Sequence, residues 1–130
     1  MIIVDASAVI EVLLRTPIAA SIEARIFSPK VTLHAPSLID LEVAQVLRRY
    51  VISGNMTSSR GNAAVQDFLD LPIERYSHDL LLERIWELRS NLTGYDAAYV
   101  ALAEILSAPL VTRDKRLKSS RGHRAVIELF

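Results

Sequence analysis

Short apolar runs alternate with longer segments of helical periodicity along this chain. The runs cover residues 2–4, 31–35, 71–76, 110–112 and 125–129. This alternation is typical of βα units, in which helices cover both faces of a parallel sheet. We therefore predict an α/β fold with a mostly parallel sheet of about five strands. Pro72 lacks a backbone N–H, so the strand that contains it is predicted to lie at an edge of the sheet.

Length and composition fit one domain. The chain has 130 residues, 51% of them apolar, and no Pro-, Gly- or Ser-rich linker divides it, so we expect residues 1–130 to form a single domain. The absence of cysteine excludes disulfides, zinc–thiolate sites and cysteine nucleophiles. The first residues lack a basic leader, and no uncharged apolar stretch approaches the roughly 20 residues that cross a bilayer. We therefore expect a cytoplasmic protein.

Residues that commonly cap helix N-termini precede most of the predicted helices. They are Ser7 before residues 8–14, Ser37 before a helix ending near residue 52, Thr57 or Ser58 before a helix to about residue 69, Asp79 before residues 80–89, and Thr93 before residues 97–106. Pro17 suits the first turn of a further helix that ends near Phe27. The apolar face predicted for residues 80–89 contains Leu81, Ile85 and Leu88.

Four acids lie at the edges of apolar elements: Asp5, Glu42, Asp96 and Asp114. Asp5 and Asp114 each follow a predicted strand, and ligands of open α/β sheets bind at the carboxyl ends of strands. Glu42 and Asp96 lie near the starts of strongly apolar helical segments. Carboxylates rarely occupy such positions without a cationic partner, and hard divalent ions such as Mg²⁺ or Mn²⁺ prefer oxygen ligands. The pattern predicts a metal-dependent phosphodiesterase.

Each acid also has a structural interpretation. Asp5 could cap the first helix, although Ser7 is available for that role. Asp96 occupies the third position of an apparent capping box, and Asp114 could cap a short helix over residues 115–119. Glu42 could be an exposed helical glutamate, but Gln45 and Val46 offer it no ion pair. Capping and metal binding are compatible, so these interpretations do not exclude a site.

The C-terminal region is locally basic. The chain has no formal net charge, yet six of its fifteen Lys and Arg residues lie in residues 113–130. Arg113, Lys115, Arg116 and Lys118 flank Asp114, so this stretch either holds the phosphates of a nucleic acid or is a solvated turn. The three histidines, by contrast, have no spacing that marks a metal pair.

Four stretches resemble the motifs of a PIN domain, and more narrowly those of a VapC-type toxin. They are IVDASA at residues 3–8, APSLIDLEV at 35–43, LTGYDAAYVALA at 92–103 and LVTRDKRL at 110–117. Each stretch contains one of the four acids, and their order along the chain is that of the family. The resemblance extends from end to end of the chain, and no ligand position departs from it.

The resemblance implies a PIN-like three-layer α/β/α sandwich and a Mg²⁺- or Mn²⁺-dependent endoribonuclease. Asp5, Glu42, Asp96 and Asp114 correspond to the family's acidic quartet, which holds the metal and carries out catalysis. Ser7 and Thr112 match the small hydroxyl positions beside the first and last acids. The implied partners are an RNA substrate, a cognate VapB-type antitoxin and a second copy of the chain, with a heterotetramer or larger assembly when the antitoxin is bound.

Three other functions stay open at this point. A haloacid-dehalogenase-like phosphotransferase also places Asp after its first strand, but it needs a second acid where this chain has Ser7. A catalytically silent PIN-like binding protein would not need the four acids. A metal-free ribonuclease would use histidine acid–base chemistry, for which the sequence shows no suitable spacing.

Overall fold

The computed structural model describes all 130 residues and contains one sheet of five parallel strands. The strands are Ile2–Val4 (β1), Leu33–Pro36 (β2), Ile73–Tyr76 (β3), Leu110–Thr112 (β4) and Ile127–Leu129 (β5). Their spatial order is β3-β2-β1-β4-β5, and every neighbouring pair is parallel. The predicted α/β class and parallel sheet are confirmed. Pro72 directly precedes β3, which lies at an edge of the sheet as predicted.

Seven α-helices surround this sheet. They are Ala6–Leu13 (α1), Ala19–Ile26 (α2), Ile39–Ile52 (α3), Ser58–Asp70 (α4), Leu82–Glu87 (α5), Gly94–Leu106 (α6) and Lys115–Ser119 (α7). Helix α1 contacts α2, α3 and α4, whereas α5 contacts α6, which packs on the central strands, so the sheet lies between two helical layers. This is the expected three-layer sandwich. None of the helices combines the length and the apolar character needed to cross a membrane.

One continuous core joins the three layers. It contains 34 buried apolar residues contributed by the strands and by helices from both sides. Helix α6 is buried on nearly all sides from Ala97 to Ala103, because it lies directly on β1, β2 and β4. Residues 80–89 form α5 with a 3₁₀ turn at each end rather than one helix, although the predicted face is correct since Leu81 and Leu88 are buried.

The register of the central strands brings their carboxyl ends together. Val4 of β1 pairs with Val111 of β4, so Asp5 and Thr112 follow at the same level of the sheet. The backbone N–H of Asp5 also donates to the carbonyl of Val111 at 3.2 Å. Asp5 and Asp114, the first and last of the four candidate acids, therefore lie at one edge of the sheet, where a parallel sheet offers a ligand site.

Three predicted caps are wrong. Asp79 caps no helix, because it lies inside a 3₁₀ turn that follows Ser77, and α5 begins after Leu81 without a side-chain cap. Helix α1 begins at Ala6 and is capped by Asp5, not by Ser7, because the Asp5 carboxylate accepts the N–H of Ala8. Helix α3 has no capping box, since the Ser37 hydroxyl donates to the Tyr76 carbonyl at 3.0 Å. The N–H of Leu38 donates instead to His78 Nε2 at 2.9 Å. The caps predicted at Thr57, Thr93 and Asp114 are confirmed.

Candidate metal centre

Asp5 is the most deeply placed of the four acids, with 4% of its surface exposed. Its Oδ1 accepts hydrogen bonds from the Ser7 hydroxyl at 2.5 Å and the Ala8 N–H at 3.1 Å. Its Oδ2 accepts from the Thr112 hydroxyl at 2.5 Å. Burial raises the pKa of Asp5, and these hydrogen bonds oppose that rise. Ser7 and Thr112 thus fix the orientation of a carboxylate that has little contact with water.

Glu42 lies in the first turn of α3 and is held by a tyrosine of α6. The Tyr99 hydroxyl donates to Glu42 Oε2 at 2.6 Å, and Tyr99 itself is 2% exposed. Burial raises the pKa of Glu42, and the charges of Asp5 and Asp96 raise it further. The pKa of Tyr99 is also raised, first by burial and then by the charge of Glu42, so its hydroxyl stays protonated and donates to Glu42.

Asp96 and Asp114 have opposite electrostatic surroundings. Burial raises the pKa of Asp96, and the charge of Asp114 adds to the rise. The Arg116 guanidinium lowers the pKa of Asp114, because it donates to both carboxylate oxygens at distances between 2.8 and 3.2 Å. Asp114 Oδ1 also accepts the N–H of Arg116 at 2.8 Å and so begins α7. Arg116 is therefore the cation that balances this edge of the acidic group.

A single cavity of about 640 Å³ joins the four acids. Its lining includes Asp5, Ser7, Glu42, Asp96, Tyr99, Asp114 and Arg116. The pKa shifts agree with this placement, since Glu42 responds to the charges of Asp5 and Asp96, and Asp96 to that of Asp114. Four carboxylates on one cavity make it strongly attractive to a cation.

The donor chemistry fits a hard divalent cation, although the side chains are not closed around one. No three acidic or histidine side chains have the mutual spacing of a metal site as they stand. Asp114 is turned toward Arg116, and Glu42 toward Tyr99. Carboxylate oxygens are nevertheless the ligands that Mg²⁺ and Mn²⁺ prefer. A divalent charge would favour the ionised form of the three acids whose pKa is raised by burial, and it would offset the repulsion that adds to the rise for Glu42 and Asp96. Asp114 would have to exchange Arg116 for the ion.

Of the four basic residues expected to hold RNA, only Arg116 lines this cavity. Arg113 donates through Nε to Glu11 at 3.3 Å and through a second nitrogen to the carbonyl of Phe130. Lys118 donates to the carbonyl of Ile127 at 2.9 Å, and Lys115 is exposed without a side-chain partner. Arg113 adjoins Asp114 in the sequence, but its guanidinium is committed to structural contacts outside the cavity.

The sequence did not identify several further residues of this cavity. Tyr99 lies three positions after Asp96, which places both on one face of α6, but a tyrosine in an apolar helix is indistinguishable from a core residue. Four further side chains of the lining are exposed at the rim, and they are Leu41, Gln45, Arg49 and Tyr95. The one feature of the sequence that could have indicated them is the four-residue spacing of Leu41, Gln45 and Arg49 along α3.

The comparisons with known proteins agree with this fold. A family model described as the PIN domain matches residues 2–122. A protein named ribonuclease VapC12 from Mycobacterium tuberculosis is 43% identical over 129 residues, which are 99% of this chain and 98% of the relative.

Two solved structures have the same fold at lower identity. Mycobacterium tuberculosis VapC20, described as a sarcin–ricin loop cleaving toxin, is 16% identical with a TM-score of 0.70 over 97% of this chain and 98% of its own. VapBC2 from Rickettsia felis, bound to a DNA fragment from its promoter, is 14% identical with a TM-score of 0.70 over 99% of this chain and 98% of that one. Since the family model and the VapC relative both span nearly all of the sequence, the chain belongs to the PIN domain family and, within it, to the VapC group.

Proposed function

We propose that this protein is the toxin of a VapBC-type toxin–antitoxin pair and that it cleaves RNA in the cytoplasm as a metal-dependent endoribonuclease. The observation that carries the proposal is the lining of one cavity by Asp5, Glu42, Asp96 and Asp114. The 43% identity to a protein named a ribonuclease supports the choice of RNA as substrate. The cleavage reaction is phosphodiester hydrolysis by an activated water.

The four acids would hold Mg²⁺ or Mn²⁺. When bound, the ion would supply an activated water and neutralise charge on the phosphoryl oxygens. Ser7 and Thr112 hold both oxygens of Asp5 in place, and Tyr99 does the same for one oxygen of Glu42. Arg116, released from Asp114, is positioned to hold a phosphate oxygen of the substrate at the same cavity.

The proposed protein partners are a VapB-type antitoxin and a second copy of this chain, in a heterotetramer or larger complex. The VapBC2 structure from Rickettsia felis, which names both components, supports the antitoxin. The docking surfaces proposed for these partners are residues 8–14, residues 18–27 and the hairpin around Gly54, because none of them lines the acidic cavity. Leu13 is not a suitable position for testing these surfaces, because it is 4% exposed and its replacement would damage the core. Leu14, which is half-buried, remains suitable.

The test is cleavage of total RNA by purified protein, with mapping of the cut ends. Asp5→Asn and Asp96→Asn should abolish cleavage in Mg²⁺ or Mn²⁺ while the far-UV circular dichroism spectrum stays unchanged. Asp67→Asn is the matched control, because Asp67 is exposed on α4 and lies outside the cavity. Chelation of the metal should have the same effect as the two site variants.

The ends of the products separate the proposed chemistry from its alternatives. Attack by water should leave a 5′-phosphate and a 3′-hydroxyl, since the substrate 2′-hydroxyl takes no part. Ends with a 2′,3′-cyclic phosphate, or activity that survives chelation, would require the histidine mechanism instead. Hydrolysis of phosphomonoesters but not RNA would indicate a phosphotransferase, and RNA binding with no cleavage in either metal would indicate a silent binding protein.

A further inference from the structure

Three exposed residues of α3 line the same cavity as the acids. Leu41, Gln45 and Arg49 recur every four positions, so they form one row along a single face of the helix. The row begins beside Glu42 and extends about 12 Å along α3, given a rise of ~1.5 Å per residue. We call these three residues the α3 row. None of them contributes to the buried core.

Tyr95 adds an aromatic surface to this rim. It precedes Asp96 in the first turn of α6, lines the cavity, and is 69% exposed. Its hydroxyl makes no hydrogen bond, whereas Tyr99, one turn later, is buried and bonded to Glu42. Leu41 is also 76% exposed, so the acids share the cavity with two uncovered apolar side chains.

Arg49 is a cation without a partner at the far end of the α3 row. Its guanidinium makes no hydrogen bond or ion pair, whereas Arg25, Arg75, Arg84, Arg113 and Arg116 are each paired with a carboxylate. The acids of the cavity do not engage Arg49 although they face the same space. It is therefore free to bind an anionic ligand that enters the cavity.

We infer that Tyr95 and the α3 row form a binding subsite for an unpaired nucleotide of the RNA, next to the bond that is cleaved. The inference rests on the proposed function. The base stacks on the Tyr95 ring with Leu41 beside it, the Gln45 amide meets the edge of the base, and Arg49 holds a flanking phosphate. A ring can stack on a base only when that base has left its duplex, so the subsite selects single-stranded segments or loops.

The free charge of Arg49, beside an exposed aromatic ring, favours RNA over a protein segment as the occupant. The acids repel a polyanion, and a free arginine about 12 Å from Leu41 is placed to offset that repulsion at a phosphate. Stacking is also tolerant of base identity, since every base presents a π-face. The subsite should therefore distinguish unpaired from paired RNA more strongly than one base from another.

The first experiment tests stacking. The probe is a fluorescein-labelled single-stranded RNA of mixed sequence, with the same sequence in a duplex for comparison. Binding is measured by anisotropy in Ca²⁺, which also takes oxygen ligands, and gels verify that the probe stays intact. Tyr95→Ala should bind the single strand about tenfold more weakly, and Tyr95→Phe should stay within about twofold of the wild type. The preference for single-stranded over duplex RNA should fall in Tyr95→Ala.

Trp86→Ala is the matched control for an exposed aromatic. Trp86 is 67% exposed on α5 and lies outside the cavity, so its removal should leave RNA affinity unchanged. If Tyr95→Ala binds like the wild type, or if Trp86→Ala weakens binding equally, the inference is overturned. Light scattering tests whether a second copy of the chain occupies this surface instead. If Tyr95→Ala no longer forms a dimer but keeps its RNA affinity, the surface belongs to the dimer and the inference is overturned.

The second experiment tests the phosphate contact. Arg49→Ala should reduce the log–log salt dependence of binding by about 0.7, the value for one phosphate of a single strand. Arg48→Ala is the control, because Arg48 is adjacent but lines a separate groove between α3 and α4. If the two variants have the same log–log salt slope of RNA binding, the proposed phosphate contact of Arg49 is overturned.

A cleavage assay in Mg²⁺ keeps the two proposals apart. Tyr95→Ala should raise KM for a hairpin RNA cut in its loop, with a smaller change in kcat. Cleavage by the wild type with an unchanged KM in Tyr95→Ala would overturn the subsite and leave the proposed function intact. Failure of the wild type to cleave RNA in either metal would overturn the proposed function, while the binding measurements would still decide the subsite.

Discussion

Tyr99 is the clearest case of a single residue that connects packing with the site. Its ring fills the core beneath the cavity, and its hydroxyl reaches Glu42 at 2.6 Å. Without this hydrogen bond, nothing would hold the Glu42 carboxylate in one orientation among the other acids. The bond therefore determines where one proposed metal ligand points. Hydrogen-bonded partners of this kind commonly affect metal affinity nearly as much as the ligands do.

Tyr99→Phe should therefore lower Mn²⁺ affinity by about tenfold, while the fold is retained because the ring still fills the same volume. Titration calorimetry with Mn²⁺ measures the affinity, and urea unfolding measures the fold. Tyr76→Phe is the matched control, since the Tyr76 hydroxyl bonds to His34 Nδ1 at 2.9 Å, outside the cavity. Equal Mn²⁺ affinities in the two variants would show that Tyr99 only packs.

Arg113 and Arg116 should behave differently although only three positions separate them. Arg116→Ala should reduce the log–log salt slope of RNA binding by about 0.7, because it removes the one basic side chain of this stretch that lines the cavity. Arg113→Ala should leave the slope unchanged and lower the urea midpoint, since it loses its contacts with Glu11 and the Phe130 carbonyl. The reverse pattern, measured by anisotropy at several salt concentrations, would restore Arg113 as the RNA contact.

The sequence predicted where the acidic residues lie, but it could not predict which partners the arginine side chains contact. Asp5 and Asp114 each follow a strand, and parallel strands end at one edge of the sheet, so chain position alone brings them to one cavity. The contacts of Arg113 depend on Glu11 and the chain end, which are remote in sequence. A long flexible side chain takes its direction from such partners.

Among the elements, the contact between α3 and α4 shows how a glycine sets helix packing. A Cβ on Gly61 would lie 2.8 Å from Val51 Cγ2, closer than carbon atoms can approach without movement. Val51 is β-branched and stiff at χ1, so it cannot easily turn away. The missing side chain therefore allows the two helices to approach, at the expense of helix propensity within α4.

Gly61→Ala should destabilise the protein by about 1–3 kcal/mol, because overpacking outweighs the gain in helix propensity. The stability change should have the opposite sign when the Val51 side chain is shortened. In a Val51→Ala background, Gly61→Ala should stabilise the protein by up to about 1 kcal/mol. Urea unfolding of the four proteins of this cycle measures both effects. A stabilising Gly61→Ala in the wild-type background would show that the helices can separate at no cost.

Local signals predicted the elements better than they predicted how the elements begin. Thr57 and Thr93 cap their helices as expected, because such caps depend only on residues two or three positions away. The start of α3 depends instead on His78, which lies 40 residues further along the chain and accepts the N–H of Leu38. No local pattern reports that contact, since β3 must first pair with β2 to bring His78 there.

At the scale of the whole molecule, the acidic cavity makes stability depend on pH and on metal. The folded-state pKa values of Asp5, Glu42 and Asp96 are raised above their ordinary values. At these three groups the metal-free folded protein therefore binds more protons than the unfolded chain, and they reduce its stability as pH rises from the ordinary carboxyl pKa through the raised ones. An ion bound by the ionised carboxylates would reverse that loss.

Mn²⁺ should therefore raise the thermal unfolding midpoint, and the rise should be larger at neutral than at mildly acidic pH, because protons compete with the ion for the same oxygens. At a hundredfold excess of ion over its Kd, the stabilisation should be about 2.7 kcal/mol. Asp96→Asn should remove most of the Mn²⁺ effect while leaving metal-free stability at neutral pH equal or higher, since a poorly solvated charge is lost. Asp67→Asn, on exposed α4, should respond to Mn²⁺ like the wild type. A midpoint shift in Mn²⁺ that is independent of pH and survives in Asp96→Asn would place the ion outside the four-carboxylate cavity.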